Sequence, residues 1–260
     1  MSLKNSIENK VPRSVVVAVP IYNVLLSELE QFSLDQTFKI LKDREIMFFC
    51  PDGLDITYYR GRYPTAKYVY FEKDYFASVY DYSRLLLTKQ FYEAFSTVEF
   101  LLIVQPDVYV FRDDLDYWIT QPFDYIGAPW PHGMQLNLKL GRYLNVGGKA
   151  VISYVGNGGF SLRRVRKCID LINEFPDVID TFFKSGSNED LFYSIVGQLS
   201  TRFILPNQII ASKFAIEVEP EHYYAISGEL SPMGVHAFEK YAPEFWRERI
   251  GDWPAPNKSI

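Results

Sequence analysis

The run Phe100-Leu101-Leu102-Ile103-Val104 is apolar at every position and stops at Gln105-Pro106-Asp107. A half-exposed strand alternates polar and apolar residues. A run with no polar position therefore predicts a strand covered on both faces, as in parallel sheets flanked by helices. Residues 14–19 (SVVVAV) repeat the pattern and end at the loop Pro20-Ile21-Tyr22-Asn23. Between the two runs, helix and strand signals alternate. Ser27 and Glu30 form a capping box, and Leu29, Phe32, Leu34, Phe38 and Leu41 keep helical spacing, so a helix is expected over 28–42. Strands are expected at Ile46–Cys50, before the turn Pro51-Asp52-Gly53, and at Tyr68–Phe71. Ser78 with Asp81 opens a second helix, from Val79 to about Phe95. This alternation predicts an α/β fold with a parallel sheet.

In the second half, Tyr125–Ala128 and Phe160–Leu162 read as short strands separated by a glycine-bearing loop over 129–148. Val165, Cys168, Ile169, Ile172 and Phe175 have helical spacing, as do Leu191, Phe192, Ile195, Val196 and Leu199 behind a cap at Asn188. No repeat or low-complexity segment interrupts the chain, so 14–250 reads as one domain, with 1–13 and 251–260 as flexible or irregular ends.

Apolar residues make up 48% of the 260, enough for a sizeable core. The formal charge of -5 gives no overall basic field for nucleic acid. Cys50 and Cys168 lack C-x-x-C spacing, which argues against a disulfide framework or thiolate zinc site and for a cytoplasmic location. The first 13 residues are polar and no run of about 18 apolar residues occurs, so membrane contact is expected to be peripheral at most, at the inner face. Gly156-Asn157-Gly158-Gly159 lacks the spacing of a dinucleotide loop, and Gly147-Gly148-Lys149-Ala150 is half a P-loop with Tyr143 at its first glycine.

Asp107 is the first candidate for chemistry, because open α/β sheets bind ligands beyond the carboxyl ends of their strands. A carboxylate there can hold Mg²⁺ or Mn²⁺ against diphosphate oxygens, since hard cations favour oxygen donors, or it can cap a turn. His236 can ligate such an ion or serve as a hydrogen-bonded structural residue. Arg84 can meet an anion or mark the solvated face of its helix. The glycines at 156, 158 and 159 allow close backbone approach to a ligand or build a tight turn. Trp130 can stack on a sugar or pack in the core. Asp190 can act as a general base, whereas the helix dipole explains Glu189 at least as well.

Together these segments resemble the GT-A fold nucleotide-sugar glycosyltransferases. Residues 100–111 are similar to that superfamily's D-x-D segment, with Gln105 in place of the first acid and Asp107 as the usual metal ligand. Tyr82-Ser83-Arg84-Leu85-Leu86-Leu87 is similar to the preceding helix, and Gly156-Asn157-Gly158-Gly159-Phe160-Ser161-Leu162 resembles a segment of a poorly characterised bacterial and viral group. Asn188-Glu189-Asp190 resembles the x-E-D motif, and Gly234-Val235-His236-Ala237-Phe238 the late histidine segment. The five occur in the superfamily's order across residues 82–238.

The resemblance implies a GT-A type fold, with a Rossmann-like nucleotide half and an acceptor half. It implies transfer of a hexose-like sugar from a nucleoside diphosphate donor, a UDP-sugar being favoured, to a glycan or glycolipid hydroxyl during cell-surface glycan assembly. Inversion is favoured, with Asp190 as the base. Pro20, Tyr22, Asp52, Arg84, Gln105, Asp107, Asn157, Gly158 and Gly159 would surround the donor, Trp130 and Glu189 the acceptor, and Asp107 with His236 would hold Mn²⁺ or Mg²⁺. The alternatives are a retaining GT-A enzyme and a noncatalytic nucleotide- or carbohydrate-binding relative.

Overall fold

A computed structural model of the chain describes residues 14–138 and 148–255. Residues 1–13 and 256–260 of the expected ends, and Tyr143 and Gly147 of the half P-loop, lie outside the described residues; 251–255 carry no helix or strand.

Six strands form the main sheet: β1 (Val15–Pro20), β2 (Glu45–Pro51), β3 (Lys67–Phe71), β4 (Phe100–Val104), β6 (Tyr125–Leu138) and β7 (Lys149–Arg164), in the order β3-β2-β1-β4-β7-β6. The first four run parallel, whereas β7 is antiparallel to β4 and β6 to β7. Burial on both faces is explicit in the core. Val17, Val19, Leu102 and Val104 enter one apolar cluster, and Val16, Ala18, Leu101 and Ile103 enter another. Successive side chains of a strand point to opposite faces, which is why both runs had to be apolar throughout. β1 pairs with β2 on one side and β4 on the other, so the carboxyl ends of β1 and β4 mark the switch in strand order where a crevice opens.

The helix Glu28–Ile40 begins with the expected capping box: Glu30 N–H donates to Ser27 Oγ, and Ser27 N–H donates to the Glu30 carboxylate at 2.8 Å. Ser27→Ala is expected to lower the unfolding free energy by about 1 kcal/mol. Urea denaturation measures it, and an unchanged midpoint would mean that the box is dispensable.

Three expectations differ from the structure. The helix expected over 79–95 is two helices, Val79–Leu85 and Lys89–Glu93, because the Thr88 side chain accepts from Phe91 N–H and starts a new helix. The loop expected from 129 belongs, as far as 138, to a strand continuing from Tyr125. Pro129 and Pro131 are tolerated there because β6 is an edge strand, and register shifts between Ile126 and Met134 absorb the irregularity. The helix expected after Asn188 starts without a side-chain cap and continues from Glu189–Leu191 as a π-helical turn, Phe192–Val196.

A second sheet has the order β5-β9-β8, from β5 (Val108–Val110), β8 (Ala215–Ile216) and β9 (Gly234–His236). β9 pairs antiparallel with β5, placing His236 opposite Val108 and beside Asp107 across 129 positions of sequence. No helix among the described residues is long and apolar enough to cross a membrane.

Candidate active site

A cleft of about 750 Å³ opens at the switch point. Pro20 and Tyr22 line it from the loop after β1, Tyr82 from the helix Val79–Leu85, Gln105 and Asp107 from the end of β4, and His236 and Lys240 from β9 and the segment after it. The backbone fixes the acidic segment. Gln105 N–H donates to Gly159 O at 2.9 Å, and Val108 N–H donates back to Gln105 O at 3.0 Å. Gly159 is required here because a Cβ would stand 2.5 Å from the His236 ring.

Asp107 and His236 face one another, with Oδ1 and Nε2 3.3 Å apart, while His236 Nδ1 lies 3.4 Å from a Glu217 oxygen. Lys240 Nζ lies 3.7 Å from the other Asp107 oxygen. Burial works to lower the His236 pKa, but the Asp107 charge and hydrogen bond, then Glu217, push it up to about 10. Burial also works to raise the Asp107 pKa, and the facing imidazolium overcomes it, bringing it down to about 2.

The pair fits a divalent cation in two respects. Two cis ligands with bonds of about 2.1 Å stand about 3 Å apart, close to the observed spacing. Glu217 stands 3.4 Å behind Nδ1, where supporting carboxylates stand in metal sites, although Nδ1 has no aligned hydrogen-bond partner in the structure. No cluster of three His, Cys, Asp or Glu among the described residues could hold a metal.

The backbone of Gly158 meets a second cluster. A Cβ there would stand 2.9 Å from Glu189 Oε1, 3.2 Å from Arg163 Nη2 and 3.4 Å from Asp190 Cβ. Asp190 is half-buried, is itself outside the cleft lining, and accepts from Leu191 N–H at 2.7 Å. Burial, then the Glu189 charge, raises its pKa to about 7, and Glu217 adds to the rise. Such a carboxyl gains and loses a proton near neutrality, which is what a general base needs.

Other candidates stand elsewhere. Glu189, expected at the acceptor, is buried and turned inward: one oxygen accepts from Arg163 at 2.9 Å and the other from Ser83 Oγ at 2.9 Å. Arg84 is outside the cleft lining, paired with Asp81 at 3.2 Å and set over the rings of Tyr75, Tyr80 and Phe183; its neighbour Ser83 is the one that faces inward. Asp52 is exposed at the end of β2, outside the cleft lining, and its N–H donates to Phe71 O. Asn157 Oδ1 accepts from Gly159 N–H at 3.1 Å and shapes that turn. Trp130 is half-buried, its ring 2.7 Å from where a Cβ on Gly156 would stand. Sequence reasoning missed Glu217, Lys240 and Arg163. Only Lys240, four residues after His236, had a positional signal.

Residues 65–236, about two thirds of the chain, match a family model described as a protein of unknown function, DUF5672. The chain belongs to the DUF5672 family. No curated protein matches it in sequence. Among solved structures, this DUF5672 chain is similar to the galactosyltransferase LgtC, determined with donor and acceptor sugar analogues. The TM-score is 0.56 at 15% identity, over 93% of this chain and 98% of that one. It is also similar to the bifunctional glycosyltransferase WbbM in its apo form, with a TM-score of 0.53 at 13% identity. That match takes in 94% of this chain but 51% of WbbM, so the chain spans about half of it. The fold is therefore that of the GT-A glycosyltransferases, a mixed α/β domain around a mostly parallel sheet.

Proposed function

We propose that the chain is a glycosyltransferase that moves a sugar from a nucleoside diphosphate donor to a hydroxyl acceptor with inversion. The observation that carries this reading is the placement of the Asp190 carboxyl against Gly158, whose neighbour Gly159 packs on His236 beside Asp107. Asp190 takes the proton of the acceptor hydroxyl as that oxygen bonds to the anomeric carbon and the carbon–oxygen bond to the diphosphate breaks. Tyr22, half exposed in the cleft wall, offers a ring face to the base. Mn²⁺ or Mg²⁺ held by Asp107 and His236 would neutralise charge on the departing diphosphate. A glycan or glycolipid of cell-surface assembly at the inner membrane face is the acceptor class we favour.

A thermal-shift panel of UDP, GDP, CDP and dTDP, each with Mn²⁺, Mg²⁺ or EDTA, tests the donor site. A ligand that binds only the native state raises the melting temperature by mass action. One diphosphate is expected to stabilise the protein more with metal than with EDTA, and Asp107→Ala is expected to remove that increment. No shift under any condition would reject the site. A product that keeps the donor's anomeric configuration would replace inversion by retention.

The noncatalytic reading draws on Gln105, which removes an acid from the expected metal motif. Hydrolysis of a donor to free sugar and nucleoside diphosphate would reject it.

A further inference from the structure

Strand β7 inverts the usual pattern of a half-solvated strand. Where an antiparallel pair has one face in water, its hydrophobic residues normally point inward and its polar ones outward. Here Val151, Ser153 and Val155 are buried, whereas Ile152 and Tyr154 between them are 41% and 45% exposed. Ser153 satisfies its hydroxyl within the strand by donating to Val155 O at 2.8 Å, so a polar residue faces in and two large hydrophobic ones face out. The pairing of Gln135 with Ile152 and of Asn137 with Ala150 fixes this register, since a slip of one residue would exchange the two faces. Across from them, a Cβ on Gly133 would stand 2.7 Å from Ile152 and 3.0 Å from Tyr154, so both side chains lie over bare backbone. Among the described residues, the outward positions Gly133, Gln135, Asn137, Ala150, Ile152 and Tyr154 carry no charge. The surrounding sequence is one-sided. The chain has a formal charge of -5, yet no Asp or Glu occurs from Tyr125 to Ile169, and Lys139, Arg142 and Lys149 fall where β6 gives way to β7. Glu219 approaches β6 at His132, 3.1 Å from Nε2, beyond the end of the uncharged face.

We propose that the outward face of β6 and β7 docks on an anionic lipid bilayer. Ile152 and Tyr154 enter the boundary between headgroups and acyl chains, where a tyrosine keeps its ring in the apolar layer and its hydroxyl in the wet one. Lysine and arginine beside such a face meet the lipid phosphates, a surface to which the rest of an acidic protein has no attraction. A second copy of the chain fits less well, because a symmetric contact through this face would set the basic sequence of one copy against that of the other. From Tyr154 the strand runs four residues, about 13 Å, to Gly158 and the Asp190 carboxyl against it, so a docked bilayer brings hydroxyls of its headgroups toward that carboxyl.

Vesicle flotation tests it, with vesicles of phosphatidylcholine alone and of phosphatidylcholine mixed with phosphatidylglycerol. The protein is expected to partition about 10- to 100-fold more strongly onto the mixed vesicles, as two or three cations near an anionic surface contribute about fivefold each. Raising the salt to about 1 M should remove most of that preference. Ile152→Thr combined with Tyr154→Thr should weaken partition onto the mixed vesicles by about 10-fold or more, because it removes most of the outward hydrophobic area while keeping β-branched side chains for the strand. Both positions are exposed, so the double variant should melt like the wild type. Tyr154→Thr alone, expected at about a third of the wild-type partition or less, gives the same reading if the double variant is unstable. A wild-type protein that floats with neither vesicle, or equally with both, overturns the proposal. So does a folded double variant that partitions like the wild type. A dimer in sedimentation that the double variant breaks, without vesicle binding, assigns the face to a second copy instead. None of these outcomes bears on the donor site, which the nucleotide panel tests separately.

Discussion

Asp190→Asn is expected to lower kcat by about 10³-fold, within the usual range for losing a general base, while leaving the protein as stable or more stable at pH 8. The substitution keeps an oxygen for Leu191 N–H and removes a charge that the native state holds at a cost. The native pKa, near 7, lies above the ordinary carboxyl value, so between roughly pH 4 and 7 the folded state binds more protons at this position than the unfolded state. The carboxylate therefore destabilises the fold fully above pH 7, and the penalty is relieved as pH falls toward 4. The variant should lose this component of the pH dependence. The wild-type rate should fall below about pH 7 as Asp190 protonates, and that limb should vanish in the variant's residual activity. Steady-state rates and melting curves across pH 5 to 9 measure both. Activity within about threefold of wild type would mean that another group takes the proton.

Arg163→Met is expected to cost about 3–5 kcal/mol of folding stability, a large part of the 5–15 kcal/mol typical of a domain. The guanidinium is fully buried and donates to Glu189 at 2.9 Å, Ser161 Oγ at 3.0 Å and the Tyr92 hydroxyl at 3.1 Å. It also lies 5.2 Å from the Tyr125 ring centroid and 5.4 Å from that of Tyr193. Methionine fills much of the volume but leaves the Glu189 carboxylate buried without its counter-charge, which dominates the expected loss. Arg163→Met combined with Glu189→Leu should recover much of it, because removing both charges ends the uncompensated burial. Urea denaturation of the two variants checks this. A single variant within about 1 kcal/mol of wild type would mean that water or a shifted side chain compensates Glu189.

Legibility in the sequence differed between fold and site for one reason. Burial on both faces is written into each residue of Val16–Val19 and Phe100–Val104, so the strands and their parallel arrangement were readable locally. The Ser27 box was readable too, because cap and partner are three residues apart. The direction of a side chain is not local. Ser83 and Arg84 are adjacent on one helix, and packing turned Ser83 toward Glu189 and left Arg84 among Tyr75, Tyr80 and Phe183.

What this sequence determined by itself is the sheet that makes a crevice: apolar runs that must be covered on both faces, caps that start its helices, and the acid at the end of β4. Which groups meet in that crevice was decided only by tertiary structure. His236 reaches Asp107 because β9 pairs with β5, Glu189 turns away because Arg163 is buried beside it, and Lys240 stands over Asp107 although no spacing rule links them. Hydrophobic patterning acts residue by residue and survives in the sequence. Charge pairing depends on distances of a few ångströms between segments far apart in the chain, which exist only once the sheet has closed.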